Sequence, residues 1–214
     1  MSNKHFQISQ NDLTISDIES ILKENLKLKL DQQTEKKVSS NRLYLDQKLE
    51  NSDVLHYGIN TGFGSLCNKV ISSGELRKLQ VNLVRSHACG LGKEVDNKMV
   101  KIMMLLKIQS LSRGYSGITL TTLKRLIYFF NHDIFPIVYE QGSLGASGDL
   151  APLAHMSLAL IGEGFVSYNN KLISAEQIHI DLKIDPILLE TKEGLALLNG
   201  TQFMSAYAVH AALD

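Results

Sequence analysis

Two cysteines, Cys67 and Cys89, are all that the 214 residues hold, and they form no CxxC pair. That scarcity excludes a disulfide framework and a cysteine-built zinc cluster, and it leaves both as small buried hydrophobes in a reducing compartment. An excess of charge of one sign is also absent, since 22 basic side chains balance 22 acidic ones. Nothing electrostatic therefore draws the chain to nucleic acid or to an anionic membrane. Long apolar runs are missing too. The N-terminus, MSNKHFQISQND, lacks the apolar centre of a signal peptide, and the most apolar run, IMMLLKIQSL, is too short to span a bilayer and carries Lys107. The chain reads as a cytoplasmic protein with no metal, nucleic acid or membrane among its expected partners.

What is present is helical periodicity. Ser16-Asp17-Ile18-Glu19 reads as a capping box ahead of Ile18, Ile21, Leu22 and Leu26, and a weaker helical pattern continues through Val38, Leu45 and Leu49. Ser72-Ser73-Gly74-Glu75 reads as a second box, followed by Leu76, Leu79, Leu83 and Val84 on a face that also carries His87 and stops at the glycines of CGLG. Met99, Ile102, Met103 and Leu106 predict a helix to about Gly114; Leu123, Leu126, Ile127 and Phe130 predict another before Pro136. Leu150, Leu153, Ser157, Leu160 and Ile161 predict a third that ends at Gly162 or Gly164. FVSYNNKLIS alternates around Asn169-Asn170 and predicts a β-hairpin near 165–174, the one well-marked sheet, while the glycine-rich HYGINTGFGSL reads as a loop. From NGTQFMSAYAVHAALD a helical pattern runs to Asp214 with no stop signal. The expectation is a mainly α chain in which 1–214 form one unit, ending inside a helix of a longer protein.

The stretch GSLGASGDLAPLAH, 142–155, puts glycines at 142, 145 and 148 immediately before a helix. A phosphate-binding Walker loop would need a lysine after its last glycine, a dinucleotide fingerprint needs GxGxxG inside a βαβ unit, and a nucleophile elbow needs GxSxG. The letters fit none of the three. Chemistry on the backbone itself fits them. The Gly148 amide nitrogen, with no Cβ to block it, could attack the Ala146 carbonyl in a tight bend, and Ser147 could then lose water to leave an electrophilic methylidene. The alternative is a plain glycine turn into a helix capped by Asp149.

Context bears on that choice. GSLGASGDLAPLAH, HYGINTGFG, LQVNLVRSHACGLG and EGLALLNGT together resemble the aromatic amino-acid ammonia-lyase family, most of all its histidine-specific members. The resemblance implies the N-terminal, catalytic-loop domain of an all-α, aspartase/fumarase-like fold. It also implies a methylidene-imidazolone (MIO) group made autocatalytically from Ala146, Ser147 and Gly148, with no external cofactor. The reaction implied is elimination of ammonia from an amino acid, here L-histidine giving urocanate, in a homotetramer. Such chemistry needs an electrophile because the β-proton is weakly acidic and an amine is a poor leaving group.

By the same resemblance, Tyr57 is the base, although a phenol is ordinarily protonated at neutral pH and its surroundings would have to acidify it. His87 contacts the substrate side chain, Asn199 lies near the ring, and Asp149 helps assemble it. Without the family context these residues read as a surface loop tyrosine, a satisfied core histidine, the N-cap of the last helix and the N-cap of the helix from Leu150. Family members are more than twice as long and draw further substrate contacts from their other half, so 1–214 alone are expected to be inactive. A tyrosine- or phenylalanine-directed lyase, an aminomutase and a non-catalytic helical assembly unit stand as alternatives.

Overall fold

A computed structural model describes residues 4–50, 54–61, 71, 73–143 and 148–213. Its elements run β1 (His5–Ile8), α1 (Ile15–Lys23), β2 (Lys27–Leu30), α2 (Gln32–Glu50), a 3-10 turn (Ser73–Glu75), α3 (Leu76–His87), β3 (Leu91–Glu94), α4 (Asn97–Ser112) and α5 (Leu120–Asn131). They continue with β4 (Phe135–Pro136), β5 (Tyr139–Gln141), α6 (Leu150–Leu160), β6 (Phe165–Tyr168), β7 (Lys171–Ser174), α7 (Ala175–Leu182), α8 (Glu193–Leu198) and α9 (Gln202–Leu213). The fold is mainly α, as the periodicities predict.

The core is built around α4. This helix is apolar on nearly every face, with Met99, Val100, Ile102, Met103, Met104, Leu105, Ile108 and Leu111 all buried, so it needs cover all round. It packs against α9 and α5, with α2 and β4 also in contact. A second layer places α6 against α3 and α8. No helix among the described residues is long and apolar enough to cross a membrane.

Local chemistry explains where the helices begin, and it corrects two expected caps. The N-cap of α1 is Thr14, two residues before Ser16: Thr14 Oγ1 accepts the Asp17 amide at 3.1 Å and Asp17 Oδ2 accepts the Thr14 amide at 2.9 Å. Thr14 and Asp17 carry the same S/T-x-x-D/E spacing two residues earlier. At α3 the N-cap position is Glu75, with no side-chain cap bond, because the 3-10 turn feeds directly into the helix. Ser72, the first residue of the box expected there, lies outside the described residues.

The hairpin stands as predicted, β6 pairing antiparallel with β7 and both Asn169 (φ 51°) and Asn170 (φ 59°) in the left-handed region that a two-residue primed turn requires. It is not the only sheet. Strand β4 extends it, β3 pairs with β5, and β1 pairs in parallel with β2 across the α1 crossover. On β2 the buried Leu28 and Leu30 alternate with exposed lysines, and Asn131 at the end of α5 both accepts from the Leu28 amide (2.7 Å) and donates to its carbonyl (2.9 Å). That side chain takes the place of a further strand at this edge. Cys89 is exposed and not buried, because the chain leaves α3 there in a turn closed by its own amide on the His87 carbonyl at 2.9 Å. Cys67 lies outside the described residues.

Candidate functional site

Of the Ala146-Ser147-Gly148 triplet, Gly148 is described, and Ala146 and Ser147 lie outside the described residues. Gly148 has φ 97° and forms an isolated parallel bridge with Gly200, while the next amide, Asp149 N–H, donates to the Gly200 carbonyl at 2.9 Å. A Cβ on Gly148 would lie 3.0 Å from the Gly200 carbonyl carbon and closer still to its oxygen. Both the dihedral and the contact therefore demand glycine. The bridge brings the LLNGT segment onto the end of the triplet and sets Asn199 one residue away.

Gly142, at the other end of the turn, approaches Gly90: a Cβ there would meet the Gly90 Cα at 3.0 Å. Gly90 in turn donates its amide to His155 Nε2 at 2.9 Å, and the His155 ring stands edge-on to Tyr139. Burial lowers the His155 pKa, which suits an imidazole used as a neutral acceptor. The CGLG segment and with it the end of α3 are thus fastened to the glycine turn.

His87 is the last residue of α3 and is half-buried. Its Nδ1 lies 2.9 Å from the Leu83 carbonyl, with Ser86 Oγ at 3.1 Å. A carbonyl only accepts, so Nδ1 carries the proton and Nε2 keeps its lone pair. The residue is a helix-end imidazole with a fixed tautomer, not a satisfied core histidine.

Asp149 occupies the N-cap position of α6, yet its side chain makes no cap bond to that helix. The buried carboxylate accepts instead from Ser143 Oγ at 2.7 Å and from the Met204 amide at 3.0 Å. Met204 lies in the first turn of α9, so Asp149 caps a different helix from the one expected. Asn199 is exposed and is the C-cap of α8, its amide bonded to the Leu195 carbonyl at 3.1 Å. It is not the N-cap of α9, which begins three residues later. The N-termini of α6 and α9 therefore both adjoin the Gly148–Gly200 bridge, and their positive ends meet there.

Tyr57 is 59% exposed in a turn over 57–60, closed by the Ile59 and Asn60 amides on the His56 carbonyl (3.0 and 3.2 Å) and by Gly58 N–H on Thr61 Oγ1 (3.2 Å). Neither the Gly148–Gly200 bridge nor the Gly142–Gly90 contact fastens this turn to the rest, and its continuation over 62–70 lies outside the described residues.

The periodicities overlook Lys107. It is 1% exposed within α4, its ammonium donates to the Asn199 carbonyl at 2.8 Å, and burial lowers its pKa to about 7. The one available signal is a lysine inside the most apolar run of the chain. A surface cleft of about 610 Å³ beside α7 is lined by residues such as His179, Lys183 and Pro186 and by none of the residues above. It is an open groove away from the Gly148 turn and has no part in the chemistry argued here.

Against known proteins, a family model described as aromatic amino acid lyase matches residues 13–214. The histidine ammonia-lyase of Staphylococcus saprophyticus is 42% identical over 203 residues, 95% of this chain and 40% of the relative. Among solved structures, histidine ammonia-lyase from Trypanosoma cruzi superposes with a TM-score of 0.86 at 32% identity, over 97% of this chain and 40% of that one. The phenylalanine aminomutase of Pantoea agglomerans superposes with a TM-score of 0.87 at 32% identity, over 96% and 39%. The chain thus spans about 40% of the length of the curated relatives it matches.

Proposed function

The chain belongs to the aromatic amino acid lyase family, and from that premise we propose that it is the turn-bearing part of a cytoplasmic carbon–nitrogen lyase that eliminates ammonia from L-histidine and releases urocanate. The observation that carries this reading is the convergence of three distant sequence blocks, those of His87, Gly148 and Asn199, through the Gly142–Gly90 contact and the Gly148–Gly200 bridge. A methylidene-imidazolone supplies an electrophile that no ordinary side chain offers. Ring closure needs only this chain: the Gly148 nitrogen bonds to the Ala146 carbonyl carbon with loss of one water, and Ser147 loses a second to leave the methylidene. The absence of a Cβ at Gly148 and its left-handed φ fit that closure.

The remaining residues act around the turn. Asp149 holds Ser143 and the start of α9 in place, and the two helix N-termini favour electron density drawn toward the bridge. His87 Nε2 accepts a hydrogen bond from the substrate side chain. An imidazole N–H or a phenol O–H can donate there, and a phenyl ring cannot. The choice of histidine over tyrosine rests on the histidine ammonia-lyase relatives. Tyr57, entering as its phenolate, takes the β-proton and becomes the phenol as ammonia leaves the α-carbon and the double bond forms, with the Asn199 amide beside the ring. The active protein is a homotetramer, and residues 1–214 alone are inactive because further substrate contacts come from outside them.

The test is product analysis with the full protein that the reading frame encodes. Urocanate from L-histidine, together with an intact mass short by two waters, supports the proposal. The fold shared with the aminomutase favours a second reading in which the product is a β-amino acid; that product, or coumarate from L-tyrosine at the higher kcat/KM, would overturn the histidine assignment.

A further inference from the structure

An ammonium inside an apolar helix calls for a physical reason. Lys107 lies among Met103, Met104, Ile108 and Leu111, all buried, where a hydrophobe of similar length would pack at least as stably. Its ammonium reaches a backbone carbonyl, that of Asn199, at 2.8 Å. That carbonyl belongs to the C-cap residue of α8, where helix carbonyls lose their intrahelical partners and gather the negative end of the dipole. A cation is the matching group for such an end.

The consequence falls on the site. The Asn199 amide is held by Leu195 and its carbonyl by Lys107, so both polar groups of this backbone unit are fixed, and its extended ψ of 127° turns the chain out of α8 toward Gly148. On one side of that anchored unit stands the Asn199 side chain. On the other stands Gly200, whose carbonyl accepts the Asp149 amide.

We propose that Lys107 is a positioning residue of the site: through the Asn199 carbonyl it holds the Asn199–Gly200 peptide against the Gly148 turn, and so fixes where the turn can close and where the Asn199 amide stands. The inference rests on the reading of that turn as the one that forms the ring. Burial lowers the pKa of this group to about 7, and as ammonium or as amine it still carries an N–H to donate to the Asn199 carbonyl.

The experiment compares the full protein with its Lys107→Met and Lys107→Arg variants by thermal unfolding, hydrogen exchange at the Asp149 amide, and intact mass with near-ultraviolet absorbance. The Met variant is expected to melt no lower than the unsubstituted protein, while its Asp149 amide exchanges at least about tenfold faster and the ring-bearing fraction falls. The Arg variant, which keeps a charged donor, restores both. A merely structural lysine would move the melting temperature and leave those two readings alone. A Met variant that keeps Asp149 protection and ring content overturns the proposal. Should that variant not fold, the same readings on Lys107→Leu, which likewise carries no donor, decide in the same way. An unsubstituted protein whose mass is not short by two waters overturns the reading of the turn, and the Asp149 amide still decides whether Lys107 anchors it.

Discussion

Asp149 and Met204 are joined by one hydrogen bond, Met204 N–H to Asp149 Oδ2 at 3.0 Å, which ties the residue before α6 to the first turn of α9. With Ser143 Oγ on the other carboxylate oxygen, the buried side chain serves two donors. Asp149→Ala leaves both without an acceptor, and the expected loss of stability is roughly 1–3 kcal/mol. Asp149→Asn keeps one acceptor oxygen and should fall between. Denaturant unfolding of the three proteins checks this order, and an alanine variant as stable as the parent would refute the assigned role.

Gly148 and Ser147 separate backbone geometry from side-chain chemistry. Gly148→Ala places a Cβ against Gly200 at φ 97°, a conformation that costs a non-glycine residue about 1–3 kcal/mol before any clash. It should lose Asp149 amide protection and ring formation together. Ser147→Ala should lose the near-ultraviolet absorbance and the mass deficit while keeping Asp149 protected. Persistent absorbance in the serine variant would remove Ser147 as the source of the methylidene.

His87 makes a binding prediction. Its Nε2 is free to accept because Nδ1 is committed to the Leu83 carbonyl. His87→Leu should raise the KM for L-histidine about tenfold or more, with a smaller effect on kcat, as expected for loss of a bond made equally in ground and transition states. Steady-state kinetics decide, and an unchanged KM would place the substrate side chain elsewhere.

Much of this was legible in the letters where one periodic face or one turn carried the signal. Helices α4, α5 and α6 and the Asn169-Asn170 hairpin stand where their patterns put them. Strands β1 and β2 were not legible, because four residues such as HFQI or KLKL give too short an alternation to separate from a loop, and their pairing depends on packing. The shift of the first cap to Thr14 shows two overlapping frames of one motif, a choice made by which hydroxyl reaches an amide. In the site, Gly148 and Asp149 were visible as residues but not in their partners: Gly200 and Met204 are distant in sequence. Lys107 escaped because periodicity scores a lysine as solvent-facing, and only the packing of α4 on all sides overrides that.

The same burial makes Lys107 a source of pH-dependent stability. Its pKa is about 7 in the folded protein, against 10.5 for an ordinary lysine. Between those values the unfolded chain holds a proton that the folded chain has released. Stability therefore rises with pH across that window, at up to about 1.4 kcal/mol per pH unit from this group. Below pH 7 both states are protonated, and the full desolvation penalty of the buried ammonium remains. No charged neighbour enters the shift, burial being its cause. Other groups titrate in the same window, so the discriminating quantity is the difference between the parent and Lys107→Met. Unfolding free energies measured from pH 6 to 9 should show the Met variant ahead at low pH and the gap narrowing as pH rises. A gap that stays constant across the range would mean that Lys107 keeps an ordinary pKa in the folded chain and that its ammonium is hydrated there.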